Sequence, residues 1–96
     1  LARVEQNDPL QQYLEALDFE RTGDYPHAIE HLQRAIQLKG DEDRFYAALA
    51  RVYTGAGEPR RASSALARAQ ALSAGKSRDR AARDRIMTSS YGAKQD

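Results

Sequence analysis

The chain has 96 residues, 41% hydrophobic and 30% charged, which bounds it to one small domain with a thin core. It has no cysteine, which excludes disulfides and thiol chemistry, and no apolar run near the ~20 residues that a membrane span needs, so the residues predict a soluble piece. The net charge of +1 is unevenly spread: residues 1–43 carry four basic and ten acidic side chains, a balance of −6, and residues 44–96 carry eleven and four, a balance of +7. Such polarity can steer an acidic ligand to one end or stack molecules head to tail. The chain begins at Leu1 and shows no signal-peptide pattern, so it reads as a fragment whose targeting sequence, if any, lies outside it.

Apolar content rests on alanine and leucine with few β-branched residues, which favours helix over strand. Residues 1–8 lack clear periodicity and read as an N-terminal extension. Asp8-Pro9 is a start signal, because aspartate can cap orphan amides and proline at the first helical position loses no hydrogen bond. Leu10, Tyr13, Leu14 and Leu17 follow at helical spacing, and Gly23 supplies the left-handed residue that ends the helix. Asp24-Tyr25-Pro26 starts a second helix with an apolar face of Ala28, Ile29, Leu32, Ala35 and Ile36, closed by Gly40. Asp41-Glu42-Asp43 caps a third, marked by Phe45, Tyr46, Leu49, Ala50, Val52 and Tyr53 and stopped around Gly55-Ala56-Gly57. The fourth starts at Glu58-Pro59, buries Ala62, Ala65, Leu66, Ala69 and Leu72, and is expected to end at Gly75.

A thin amphipathic segment over 77–91 then reads as a capping helix, helped by Asp79–Arg83 and Arg80–Asp84 at i,i+4 spacing, with 92–96 a disordered tail. The prediction is an all-α chain of about five helices, organised as two antiparallel hairpins over 9–42 and 43–76.

A shift of 34 residues superposes the hairpins. Gly23 falls on Gly57, Ala16 on Ala50, Phe19 on Tyr53, Ala28 on Ala62, Leu32 on Leu66 and Ala35 on Ala69. Small residues land on small and large on large, as closely packed helices require. With Tyr46-x-x-Leu49-Ala50-x-x-Tyr53, Gly57, Ala62, Leu66 and Ala69, the chain resembles the tetratricopeptide repeat family over about residues 9–75. The resemblance implies a short right-handed solenoid of stacked hairpins, a protein-interaction module within a larger scaffold or assembly protein. Two departures are Gln12 and Glu15, where the family usually has large apolar residues, and the absence of the usual closing proline, replaced by Gly40 and Ala74.

No nucleophile elbow, P-loop, GxGxxG or His-Glu-x-x-His pattern occurs, so no enzymatic activity and no cofactor are expected. His27 and His31 are spaced i,i+4 but lack further ligands, which makes them structural histidines rather than a metal site. In the family the first helix of each hairpin lines a concave groove. The resemblance therefore implies groove positions at Leu10, Tyr13, Leu17, Glu20 and Arg21, at Arg44, Ala47, Arg51 and Thr54, and at Arg78, Ala81, Arg85 and Thr88. Arg44/Arg51 and Arg78/Arg85 are each seven residues apart and share a face, so four guanidinium groups are expected to converge on one trough. Arginine's planar fork suits carboxylates, which points to an acidic peptide or partner segment. Self-association through the acidic and basic halves, and a non-catalytic appendage of a larger enzyme, are the alternatives. Nucleic-acid binding is disfavoured because the basic residues lie on several faces without interleaved aromatics.

Overall fold

The computed structural model describes the backbone of residues 8–95 and the side chains of residues 8–77. It contains four helices: α1 (Pro9–Arg21), α2 (Tyr25–Leu38), α3 (Asp43–Gly55) and α4 (Pro59–Gln95). α1 pairs with α2 and α3 with α4 as antiparallel hairpins, and α3 lies on α2 with a lighter contact to α1.

The two hairpin turns are copies. Gly23 and Gly57 are the positive-φ residues among those described, at 81° and 79°. In the first turn the Asp24 amide donates to the Phe19 carbonyl at 2.8 Å and the Gly23 amide to Glu20 at 3.0 Å. In the second, the Glu58 amide donates to Tyr53 at 2.9 Å and Gly57 to Thr54 at 3.1 Å. Each pair closes the last helical turn around a left-handed glycine and satisfies carbonyls that would otherwise be orphaned. The next helix starts at once: Asp24 Oδ1 accepts from the His27 amide at 3.4 Å, and Asp8 Oδ1 does the same for Leu10 at 3.0 Å.

Alanines form the seam. Ala16, Ala28, Ala35 and Ala48 are fully buried, and Ala50, Ala62, Ala65 and Ala69 nearly so. Absent side-chain bulk lets the backbones approach, while Leu32, Phe45 and Val52 fill the spaces beside them. Gly55 obeys the same logic at its limit, since a Cβ there would fall 2.6 Å from Cζ of Tyr25 on α2.

The polar departures on α1 have a structural answer. Gln12 is only 6% exposed, and its Oε1 lies 2.7 Å from Nδ1 of His31. His31 and His27 both stack on Phe19, with ring centroids 5.3 and 5.1 Å away. The α1–α2 hairpin thus closes its outer side with a buried hydrogen bond and stacked rings rather than with large aliphatic residues. A buried amide is tolerable only because it is paired.

One expectation fails. Residues 8–95 form four helices where about five were expected for the chain, because α4 does not stop at Gly75 but runs unbroken to Gln95. An interior glycine costs about 1 kcal/mol relative to alanine, too little to end a helix by itself. A terminating glycine needs the chain to reverse, and here Lys76 is tied to the start of α3, with Nζ 2.6 Å from Asp43 Oδ1 and 3.7 Å from Glu42 Oε2. Residues 77–91 therefore continue α4 instead of forming a separate capping helix, and the backbone of 92–95, expected to be disordered, is helical. The extension 1–8 lies outside the described residues except for Asp8.

Because an added Cβ at Gly23 or Gly57 would meet nothing within 4 Å, the cost of substitution there is backbone strain alone. Gly23→Ala and Gly57→Ala should each lower unfolding free energy in urea by about 1–2 kcal/mol, with the asparagine variants milder.

Candidate binding groove

α1 and α3, the first helices of the two hairpins, share one side of the molecule. Tyr13 and Phe45 join them, with ring centroids 5.2 Å apart and planes tilted by 38°. Arg44 stands over this pair, its guanidinium carbon 5.8 Å from the Tyr13 centroid and its Nε 2.8 Å from Glu42 Oε2. Both contacts hold a planar cation against a ring face and a carboxylate.

One repeat's α1 is tied to the next repeat's α3 by Arg51. Its Nε and Nη2 donate to the two carboxylate oxygens of Glu20, each at 3.0 Å. This bidentate pair raises the Arg51 pKa above its ordinary value, as Glu42 does for Arg44, so both stay charged at any physiological pH. Arg21 pairs with Asp18 on its own helix. At the far end of α3, the hydrogen bond from Lys76 holds the Asp43 carboxyl below the usual carboxylate range. A depressed carboxylate stabilises the fold above its unfolded pKa, and that contribution is lost only as pH falls through the lowered value.

Two concavities flank the Glu20–Arg51 bridge. One, of about 630 Å³, is lined by Leu14, Leu17, Asp18, Glu20 and Arg21. The other, of about 580 Å³, runs along Ala47, Arg51 and Thr54 to Ala62 and Leu66 on α4. The structure thus brings Leu17, Glu20 and Arg21 together, and Tyr13 with Arg44, and it links the two groups through Arg51. The side chains of Arg78 and Arg85 lie outside the described residues. The chain reversal at Gly75 that would carry a third inner helix alongside α3 is absent.

Sequence reasoning missed the ion pairs, because Glu20 and Arg51 are 31 residues apart and nothing local joins them. It also missed a concavity of about 360 Å³ between Tyr46, Leu49 and Tyr53 on α3 and Arg61 and Arg68 on α4. There the Arg68 guanidinium lies 5.9 Å from the Tyr46 centroid. The signal was available in outline, since Arg61 and Arg68 are seven residues apart on one helix.

His27 and His31 are both engaged: Nδ1 of His27 is 2.8 Å from Asp24 Oδ2, and His31 lies 3.9 Å from Glu15 besides its bond to Gln12. Among the described residues, no three His, Cys, Asp or Glu side chains gather as a metal site would need. No helix among them is long and apolar enough to cross a membrane.

Repeated hairpins with this small-and-large seam are also what comparison with known families finds. The tetratricopeptide repeat family matches residues 21–83. The chain belongs to this family. The match takes in α2, α3 and the first part of α4, and of α1 only Arg21, consistent with the polar Gln12 and Glu15 on that helix. No curated protein and no solved structure matches the chain. Tetratricopeptide repeats are generally protein-interaction modules and typically non-catalytic.

A double-mutant cycle of Glu20→Gln and Arg51→Gln, read by urea unfolding, should give a coupling of about 0.5–1 kcal/mol that shrinks in 0.5 M salt. A coupling near zero at low salt would mean that the bridge does not hold the two repeats together.

Proposed function

We propose that this chain binds an extended, acidic partner segment along the α1/α3 face, as one module of a larger scaffold or assembly protein. Tyr13 and Leu17 supply the apolar floor, and Arg21, Arg44 and Arg51 the positive charge. The observation that carries this reading is the state of the α3 arginines. Their side chains are 59% and 53% exposed, yet each is already oriented by a carboxylate. Arg51 spends Nε and Nη2 on Glu20 and keeps Nη1 free to donate, while Arg44 uses Nε and keeps both terminal nitrogens. Orientation before binding lowers the entropy cost of capturing an anion.

The spacing adds a specificity. Seven residues of helix separate the two guanidinium groups by about 10 Å along α3. A peptide in the polyproline II conformation advances about 3.1 Å per residue with three residues per turn, so acidic side chains at positions i and i+3 share a face and match the two arginines.

Fluorescence polarisation with short extended peptides tests this. A peptide with glutamates at i and i+3 should bind at least tenfold more tightly than its glutamine counterpart, and Arg44→Gln should erase most of that preference. Glu20→Gln, which removes the carboxylate that orients the Arg51 fork, should weaken binding, and Arg51→Glu, which sets a second carboxylate against Glu20, should abolish it while helical circular dichroism persists. Equal affinity for the acidic and neutral peptides would remove the acidic specificity.

A further inference from the structure

The surface of the first hairpin that carries α3 reappears 34 residues later, uncovered. On the first hairpin, Tyr13 meets Phe45, Glu20 binds Arg51, Tyr25 abuts Gly55, and Leu32 is fully buried in the shared core. A shift of 34 carries these four positions to Ala47, Thr54, Pro59 and Leu66. All four line the concavity of about 580 Å³ on the second hairpin. Leu66 is 47% exposed where Leu32 is 0% exposed, so the second cradle is the first one without its helix. The opposite end of the stack differs. The α1 positions equivalent to the inserted face of α3 are Gln11, Leu14, Asp18 and Arg21, a mostly polar set with its own ion pair.

The helix that would fill the cradle can be read from the same register. Phe45, Ala48 and Val52 bury against the first hairpin, and Gly55 sits at its end. Their equivalents are Asp79, Ala82, Ile86 and Ser89. Three of the four keep their size and character. Asp79 does not, but its opposite number changes too, since Tyr13 becomes Ala47. These residues stand on the part of α4 beyond Lys76, which is tied to the start of α3. From Ser77 to Gln95 the helix extends about 28 Å, and among the described elements α4 packs on α3 alone. Since α4 runs unbroken through Gly75, this segment does not turn back onto its own cradle.

We propose that residues 77–91 occupy the cradle of a second copy of this chain, so that two chains exchange the ends of α4 across a two-fold axis. The register also fixes where the axis lies. Translating the Tyr25–Gly55 contact by 34 opposes Pro59 of one copy to Ser89 of the other, so the axis passes at the midpoint, residue 74. The residues around it, Ser73-Ala74-Gly75, are small, and a Cβ built on Gly75 meets nothing within 4 Å. Small residues at a crossing are what two closely approaching helices need. The contact is self-complementary and closed, as a two-fold dimer requires, and it continues the α2–α3 interface one repeat further. Exchange would also set each partner's Arg78 and Arg85 where Arg44 and Arg51 stand one repeat earlier, completing the trough in trans.

The absence of native cysteine makes the test clean. The double variant Pro59→Cys/Ser89→Cys of the 96-residue chain, oxidised at micromolar concentration, should form a disulfide-linked dimer. A disulfide within one chain, meaning that 77–91 folds back on its own cradle, would overturn the proposal, as would no disulfide. Sedimentation of the unmodified chain should give twice the 10.7 kDa monomer mass, without any ligand. Leu66→Glu, at an already exposed position, and Ile86→Glu should each be monomeric with unchanged circular dichroism. An equimolar mixture of the two should regain dimer, because one intact cradle then meets one intact helix. A monomeric parent chain, or a mixture that stays monomeric, would sink the exchange and leave the acidic-peptide reading standing.

Discussion

Everything in this fold hangs on a left-handed glycine followed immediately by a new helix. At Gly23 and Gly57 the chain closes one helix with two backbone hydrogen bonds and starts the next within two residues. So short a turn leaves only antiparallel packing open to the two helices it joins. It also locks their relative phase, so that Ala28 meets α1 as Ala62 meets α3. Without the positive φ, the alanines would still be small, but they would not face each other.

Stacking of hairpins then depends on how each one presents its last surface. Between the first and second hairpins the surface is covered, and Leu32, Phe45 and Val52 are lost to solvent. At the α1 end it is polar and internally paired. Beyond α3 it is apolar and open, with Leu66 half-exposed. A short solenoid gains most of its stability from such interfaces, so an unequal pair of ends biases what it can associate with. The exchanged α4 described above is one resolution of that inequality, and it places oligomerisation and ligand recognition on the same inner face.

The inner face is an electrostatic compromise. Arg44 and Arg51 are held by Glu42 and Glu20, which lowers the local positive potential but fixes the guanidinium planes. Free arginines would attract an anion more strongly from a distance and bind it with a larger entropy loss. In the proposed reading the same residues would serve both the junction between repeats and the recognition of a partner, so a substitution at Arg51 would touch both.

By itself the sequence determined the helical class, both hairpins, the glycine turns and the alanine seam. Each of these is local or repeats at a set interval: caps, helical periodicity and a 34-residue register are all visible without coordinates. The family followed from the same pattern. Tertiary structure decided what depends on non-local partners. Gln12 became a buried, paired amide because His31 lies opposite, and Arg51 became a bridge because Glu20 does. Gly75, locally a stop signal like Gly40, stayed helical because Lys76 is held to the start of α3 by Asp43 and Glu42. A glycine's intrinsic cost is close to 1 kcal/mol, small enough for a few contacts across the helix pair to overrule. For that reason the end of α4, and with it the placement of Arg78 and Arg85, could not be read from the chain alone.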